Sequence, residues 1–152
     1  MAYVVTIERT IASPTAVAKA STTRREFPTL WGSLLDEVWA FLSDRPGLRT
    51  DGHNVMLYRC DEPGVELAVE VGVQVTGSFD AVGRVVPSNL PAGEAATTLH
   101  KGPPREIGAA HDAVNAWCSA QGRELTGLSW EVYGDPDHET GHFDVAVYWQ
   151  LA

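Results

Sequence analysis

Cysteine is scarce in this chain. Cys60 and Cys118 are its only two in 152 residues, and each lies in an apolar stretch. Two such residues make no disulfide framework and read as reduced core side chains, as expected in a cytosol. Basic charge is also short. Eleven Lys and Arg against twenty Asp and Glu leave a formal net charge of -9, and Arg24-Arg25 is the only local basic cluster. Phosphate binding needs a clustered basic face, so direct nucleic-acid binding is excluded as a function class. An acidic balance suits a cationic partner and serves solubility equally well. No run of about 20 apolar residues is available to span a membrane. The N-terminus alternates where a signal peptide has a basic start and an apolar stretch. No phosphate-cradling glycine loop, dinucleotide fingerprint or nucleophile elbow appears, so no cofactor is expected. These absences together predict a cytoplasmic protein.

Hydrophobic residues make up 44% of the chain and include five Trp, enough for a packed interior. Residues 3–11 alternate Tyr3, Val5 and Ile7 against Thr6, Glu8 and Thr10, a half-buried strand. Residues 15–22 form a weaker strand of small side chains after the Ser13-Pro14 turn. From Phe27 to Asp44 the apolar spacing becomes helical, ended by Arg45-Pro46-Gly47, with Thr29 and Ser33 placed to cap or bend its start. Val55 to Cys60 is a short strand and Asp61-Glu62-Pro63-Gly64 a turn. In the strand over 65–75, Val65, Leu67, Val69, Val71, Val73 and Val75 share one side, and Glu66 and Glu70 take the other.

The order then repeats. Strands are predicted over 81–87 and 93–100, with Pro87 and Pro91 in the loop between them. A helix follows from Gly102-Pro103-Pro104 to about Gln121. A strand over Leu125–Tyr133, a polar turn from Gly134 to Gly141 and a closing strand over 143–151 complete the chain. Asp36, Val38 and Phe41 match Asp112, Val114 and Trp117, and Tyr58 matches Tyr133, at a near-constant offset of roughly 75–78 residues. The prediction is a single α+β domain of two pseudo-twofold modules, about 1–76 and 77–152. Each module is strand–strand–helix–strand–strand. They share an antiparallel sheet with two helices on one face and a cleft where the modules join.

Trp130-Glu131-Val132-Tyr133 places a carboxylate in the middle of an apolar strand, which is costly to bury unless something positive meets it. Glu131 is therefore the leading candidate for a pocket carboxylate matched by a cationic ligand, with ring faces contributing about 0.5–2 kcal/mol each. The alternatives are a solvated strand residue or an ion pair to Arg59 or Arg84. Tyr133 and Tyr58 are candidates to line the same pocket; a strand-end core position suits them as well. Trp31 and Trp39 widen the apolar stripe of the first helix beyond what one sheet contact needs, which fits a cleft wall, a dimer face or plain core. Trp117 and Trp149 read as core, and Tyr148, on the opposite side of its strand, is open between pocket and core. His138 and His142 stand four apart, but Gly134, Pro136 and Gly141 make this a hairpin loop, so no metal site is expected. His100 and His111 could shuttle protons, with no nucleophile recognisable beside them.

The Leu99-His100-Lys101-Gly102-Pro103 helix entry, the Ser129-Trp130-Glu131-Val132-Tyr133 strand with Gly134-Asp135-Pro136 after it, and the closing strand from Phe143 to Leu151 resemble the GyrI-like small-molecule-binding domain. This is the effector-binding domain of bacterial transcription activators, and the resemblance covers nearly the whole chain. The first module departs from the pattern, since residues 21–28 lack a Gly-Pro entry. The resemblance implies an aromatic-lined cleft between the modules, holding a glutamate that receives lipophilic cations, with Glu131 in the strand where it is expected. In many relatives this domain follows a DNA-binding helix-turn-helix; with the resemblance running from residue 3 to the last residue, a stand-alone binder is the expectation here. Some relatives resemble hydrolases that open strained cyclopropane-bearing toxins; there Glu131 would act as general base with Tyr133 or Tyr58 as acid or orienting group. The family's gyrase-inhibiting branch implies a protein partner as a further alternative.

Overall fold

Alternation and helical period, read along the chain, appear in space as two strand–strand–helix–strand–strand units. The computed structural model describes residues 3–48, 52–59, 67–136, 139 and 143–152. The first unit is β1 (Thr6–Thr10), β2 (Ser13–Thr22), α1 (Phe27–Ser43), β3 (Asn54–Arg59) and β4 (Leu67–Gln74). The second is β5 (Val85–Leu90), β6 (Gly93–Lys101), a 3-10 turn (Pro104–Glu106), α2 (Gly108–Ala120), β7 (Leu125–Pro136) and β8 (Phe143–Leu151). Leu67, Val69, Val71 and Val73 of β4 are buried on one side of the sheet, and α1 covers them through Leu34, Val38 and Leu42. These three sit four apart, one stripe of a helix. Ala110, Val114 and Cys118 repeat that spacing on α2 and pack over Ala96, Val147 and Leu151. Each Val or Leu among these, fully buried, contributes about 1.5–3 kcal/mol. Thr29 and Ser33 do not cap α1; their hydroxyls donate back to the carbonyls of Glu26 and Leu30.

The eight strands form one antiparallel sheet in the order β1-β6-β8-β7-β3-β4-β2-β5. Exchanging the units reverses this order onto itself, which is the mark of a twofold axis between β3 and β7. The first strand of each unit is exchanged: β1 pairs with β6, and β5 pairs with β2. Only two residues join β1 to β2, a reach of about 10 Å. Their places in a flat sheet would lie about 29 Å apart at the usual strand spacing. The sheet therefore coils until its ends approach. The two short connections meet where Thr10 donates its hydroxyl to the carbonyls of Pro91 and Gly93. Val55, Leu57, Leu90, Ala95, Leu128 and Trp130 fill the side away from the helices.

Three expectations change. β5 runs over 85–90 and includes Pro87, tolerated because β5 is an edge strand that does not need every N–H. β7 continues past Tyr133 to Pro136, which pairs with Phe143 after a shift of register, so the polar turn begins later. Tyr148 lies on the face away from the helices, stacked on Trp130 with ring centroids 5.3 Å apart. Cys60, the turn 61–64, Val65, His138 and His142 fall outside the described residues. Cys118 is a free, buried thiol.

Candidate functional site

β3 and β7 meet at the centre of the sheet. Met56 stands opposite Glu131, Tyr58 opposite Ser129 and Asn54 opposite Tyr133. The spacing that relates Tyr58 to Tyr133 also relates Met56 to Glu131. The two residues equivalent by duplication are thus the two that face each other, and the pseudo-twofold axis passes between them. One copy supplies a thioether there, the other a carboxylate. Tyr58 and Tyr133, two residues further along their strands, flank the axis from both sides.

Their hydroxyls converge on one atom. Tyr58 donates to Glu131 Oε1 at 2.9 Å and Tyr133 donates to the same oxygen at 2.7 Å. His111 Nε2, from α2, lies 2.7 Å from Oε2. Glu131 is 2% exposed, so these three contacts replace its water. On the far side of the imidazole, Trp149 Nε1 donates to His111 Nδ1 at 3.0 Å. An indole N–H can only donate, so Nδ1 accepts and the ring's proton sits on Nε2, aimed at Glu131. Burial, then the negative charge of Glu131, pushes both phenols far above their ordinary range, so they remain donors. One anion is held by three neutral donors. Neither arginine that the sequence offered as a partner pairs with it: Arg84 is taken by Glu37 at 2.8 Å, and Arg59, next to Tyr58 on β3, points by alternation to the other face.

A cleft of about 420 Å³ opens above the carboxylate, a volume usual for small-molecule sites. The start of α1 (Phe27, Pro28) and α2 (His111, Asp112, Asn115) form its sides, and Tyr58, Ser129, Glu131 and Trp149 form its floor. Both units contribute. The rings of Phe27, Tyr58, His111 and Trp149 meet edge to face in sequence, with centroids 5.5 to 6.3 Å apart. A second cleft, of about 740 Å³, lies beside Tyr3 and the start of α2. Its buried histidine, His100, has both ring nitrogens engaged, by the Tyr3 hydroxyl at 2.8 Å and the Pro103 carbonyl at 3.0 Å.

The structure thus brings together Glu131, Tyr58 and Tyr133 and separates the other three residues predicted for the site. Tyr133 packs against the α1 core and holds Glu131 from behind the cleft. Trp39 is in that core as well, donating its indole N–H to Asn54 at 3.0 Å. Trp31 is 38% exposed on the outer side of α1, and Tyr148 is on the opposite face of the sheet. None of these last three lines the cleft. Trp130 and Val132, the neighbours that marked Glu131 in the sequence, point away from it. Trp149, read as plain core, lines the cleft, and His111, read as an isolated proton carrier, is a direct partner of the carboxylate. Among the described residues no cluster of three or more His, Cys, Asp or Glu could hold a metal ion. No helix there is long and apolar enough to cross a membrane.

Comparison with known proteins agrees with this architecture. The model of the GyrI-like small molecule binding domain matches residues 5–152. The EcmrR C-terminal domain is similar with a TM-score of 0.81 at 19% identity, covering 100% of this chain and 99% of that one. SAV2435 bound to tetraphenylphosphonium gives 0.73 at 12% identity, covering 100% and 94%. A hydrolase from Listeria innocua gives 0.60 at 12% identity, covering 97% and 91%. At these identities the likeness is one of fold. In the EcmrR–DNA complex, also similar, this chain spans 57% of the EcmrR chain. A comparison with curated proteins gave no match.

Proposed function

The chain belongs to the GyrI-like small-molecule-binding domain family, and from that premise we propose that it binds a lipophilic aromatic cation between α1 and α2, with Glu131 as counter-charge. One observation carries the reading: a buried carboxylate whose three donors are all neutral stands beside a ring-walled cleft. The donors satisfy its hydrogen bonding without cancelling its charge; a cation in the cleft does cancel it. At an effective dielectric of about 20, opposite charges about 4 Å apart attract by about 4 kcal/mol. Tyr58, Phe27 and Trp149 offer ring faces worth about 0.5–2 kcal/mol each. Tetraphenylphosphonium, the ligand in the SAV2435 structure, has the matching chemistry. The test is calorimetric titration of tetraphenylphosphonium and of neutral triphenylphosphine oxide into native protein and Glu131→Gln. The reading expects native protein to prefer the phosphonium and the variant to lose that preference. Equal affinity of native protein and variant for the phosphonium would refute it.

A hydrolytic reading draws on the same carboxylate with two phenols beside it, and on the shared fold of the Listeria innocua hydrolase. A carboxylate has about four acceptor positions, and three at Glu131 are taken, which leaves one place for a water to be activated. That arrangement favours binding over catalysis. Turnover of a strained cyclopropane substrate, abolished in Glu131→Gln while binding persisted, would reverse the order.

A further inference from the structure

Trp149 touches the carboxylate's partner His111 and not the carboxylate itself. A second proton on His111 would have to enter at Nδ1, since Nε2–H already points at Glu131. There it would face the Trp149 N–H across 3.0 Å, donor against donor. Among the described residues, charged and titratable groups approach the imidazole from several elements. β7 brings Glu131, with Tyr133 behind it, and β3 brings Tyr58, its ring edge-on at 6.3 Å. Arg24, just ahead of α1, lines the same cleft, and Asp112 follows on the histidine's own helix. Glu131, in direct contact, is the group that draws a second proton onto His111; Trp149 opposes it.

The geometry points to Trp149 as a positioning residue that holds His111 neutral and so keeps the negative charge of Glu131 at the floor of the cleft, which makes cation binding and protonation of His111 mutually exclusive. This rests on the cation-binding reading. Once His111 takes the proton, the indole bond is lost, the imidazolium pairs with Glu131, and the floor of the cleft becomes neutral. Binding of a cation then expels one proton. By linkage, affinity falls about tenfold per pH unit on the acid side of that titration and is flat above it.

The test uses tetraphenylphosphonium, whose charge does not titrate, in equilibrium dialysis from about pH 5 to pH 8.5, around the histidine range. Native protein is expected to lose affinity with a slope of about one decade per unit. Trp149→Phe, lacking the opposing N–H, should begin to lose it at higher pH, and His111→Gln should give a flat profile whatever its affinity. Imidazole nitrogen NMR on native protein at neutral pH should show the proton on Nε2 alone, and Trp149→Phe should keep it there while taking the second proton, at Nδ1, at higher pH than native protein does. An unshifted profile in Trp149→Phe, a slope retained in His111→Gln, or an Nδ1–H in the native spectrum would overturn the inference. Absence of phosphonium binding at every pH would remove the cation reading and this consequence of it, while the NMR arm would still decide the role of Trp149.

Discussion

Glu131→Gln and Trp149→Phe are expected to be coupled in stability, because the tautomer of His111 links them. In the native site every donor has an acceptor. A glutamine at 131 can accept both phenols at its carbonyl oxygen, but its NH₂ then meets the His111 Nε2–H. Trp149 prevents the imidazole from moving its proton to the other nitrogen, so two buried donors are stranded at a cost of about 1–3 kcal/mol each. Trp149→Phe alone strands one acceptor, Nδ1, at a similar cost. In the double variant His111 is free to carry its proton on Nδ1 and accept the glutamine NH₂ at Nε2, leaving one unmatched donor in place of three unmatched groups. The double variant should thus be less destabilised than the sum of the singles by about 2–6 kcal/mol, two unmatched groups fewer at about 1–3 kcal/mol each. Urea denaturation of the four proteins, read as midpoints at constant slope, measures this. Additivity within about 0.5 kcal/mol would refute the donor accounting and with it the assigned tautomer.

Three further outcomes follow from the same network and its scaffold. Tyr133→Phe removes one bond to a charged acceptor and should lower stability by about 1.5–3 kcal/mol, seen as a reduced urea midpoint; a neutral change would show that Tyr133 does not hold the carboxylate. Tyr58 and Tyr133 titrate higher when folded than when unfolded. Their contribution is complete below about pH 10, where unfolded phenols titrate, and is lost above it as the unfolded chain releases protons the native state keeps. Alkaline titration should cost about 2.7 kcal/mol per pH unit for the pair, and about half that in Tyr133→Phe. Gly72→Ala would drive a Cβ into the Ala16 carbonyl on the adjacent strand. Because backbone meets backbone there, the variant should lose about 3 kcal/mol or more, or fail to fold, while an alanine at the open position Gly32 should not.

Much of the fold was legible because its determinants are local. The apolar row of β4 and the matched stripes of α1 and α2 announce their elements by period alone, and the matched tyrosines announce the duplication. Strand order was not legible. Exchange of β1 and β5 between units depends on two-residue connections closing a coiled sheet, and nothing in their composition records which strand lies beside them. The same limit governed the site. Glu131 stood out as an acid in an apolar strand, and Tyr58 and Tyr133 as duplicated residues, so these three were found. Which ring lies near the carboxylate depends on register: Trp130 adjoins it in sequence but faces away, whereas Trp149 reaches the cleft because β8 pairs with Ser129 at that point. His111 occupies the helix position where the first unit has Leu35. A histidine in place of a leucine beside an apolar stripe was the available signal, and its meaning required knowing that α2 overlies β7.

A crystal structure of the protein with tetraphenylphosphonium tests the central claim most directly. The account predicts the phosphonium centre between α1 and α2, its rings against Phe27, Tyr58 and Trp149 and its charge over Glu131, with the bonds from Tyr58, Tyr133 and His111 to that carboxylate intact. A ligand bound elsewhere, in the cleft beside His100 or on the outer side of α1, would contradict it.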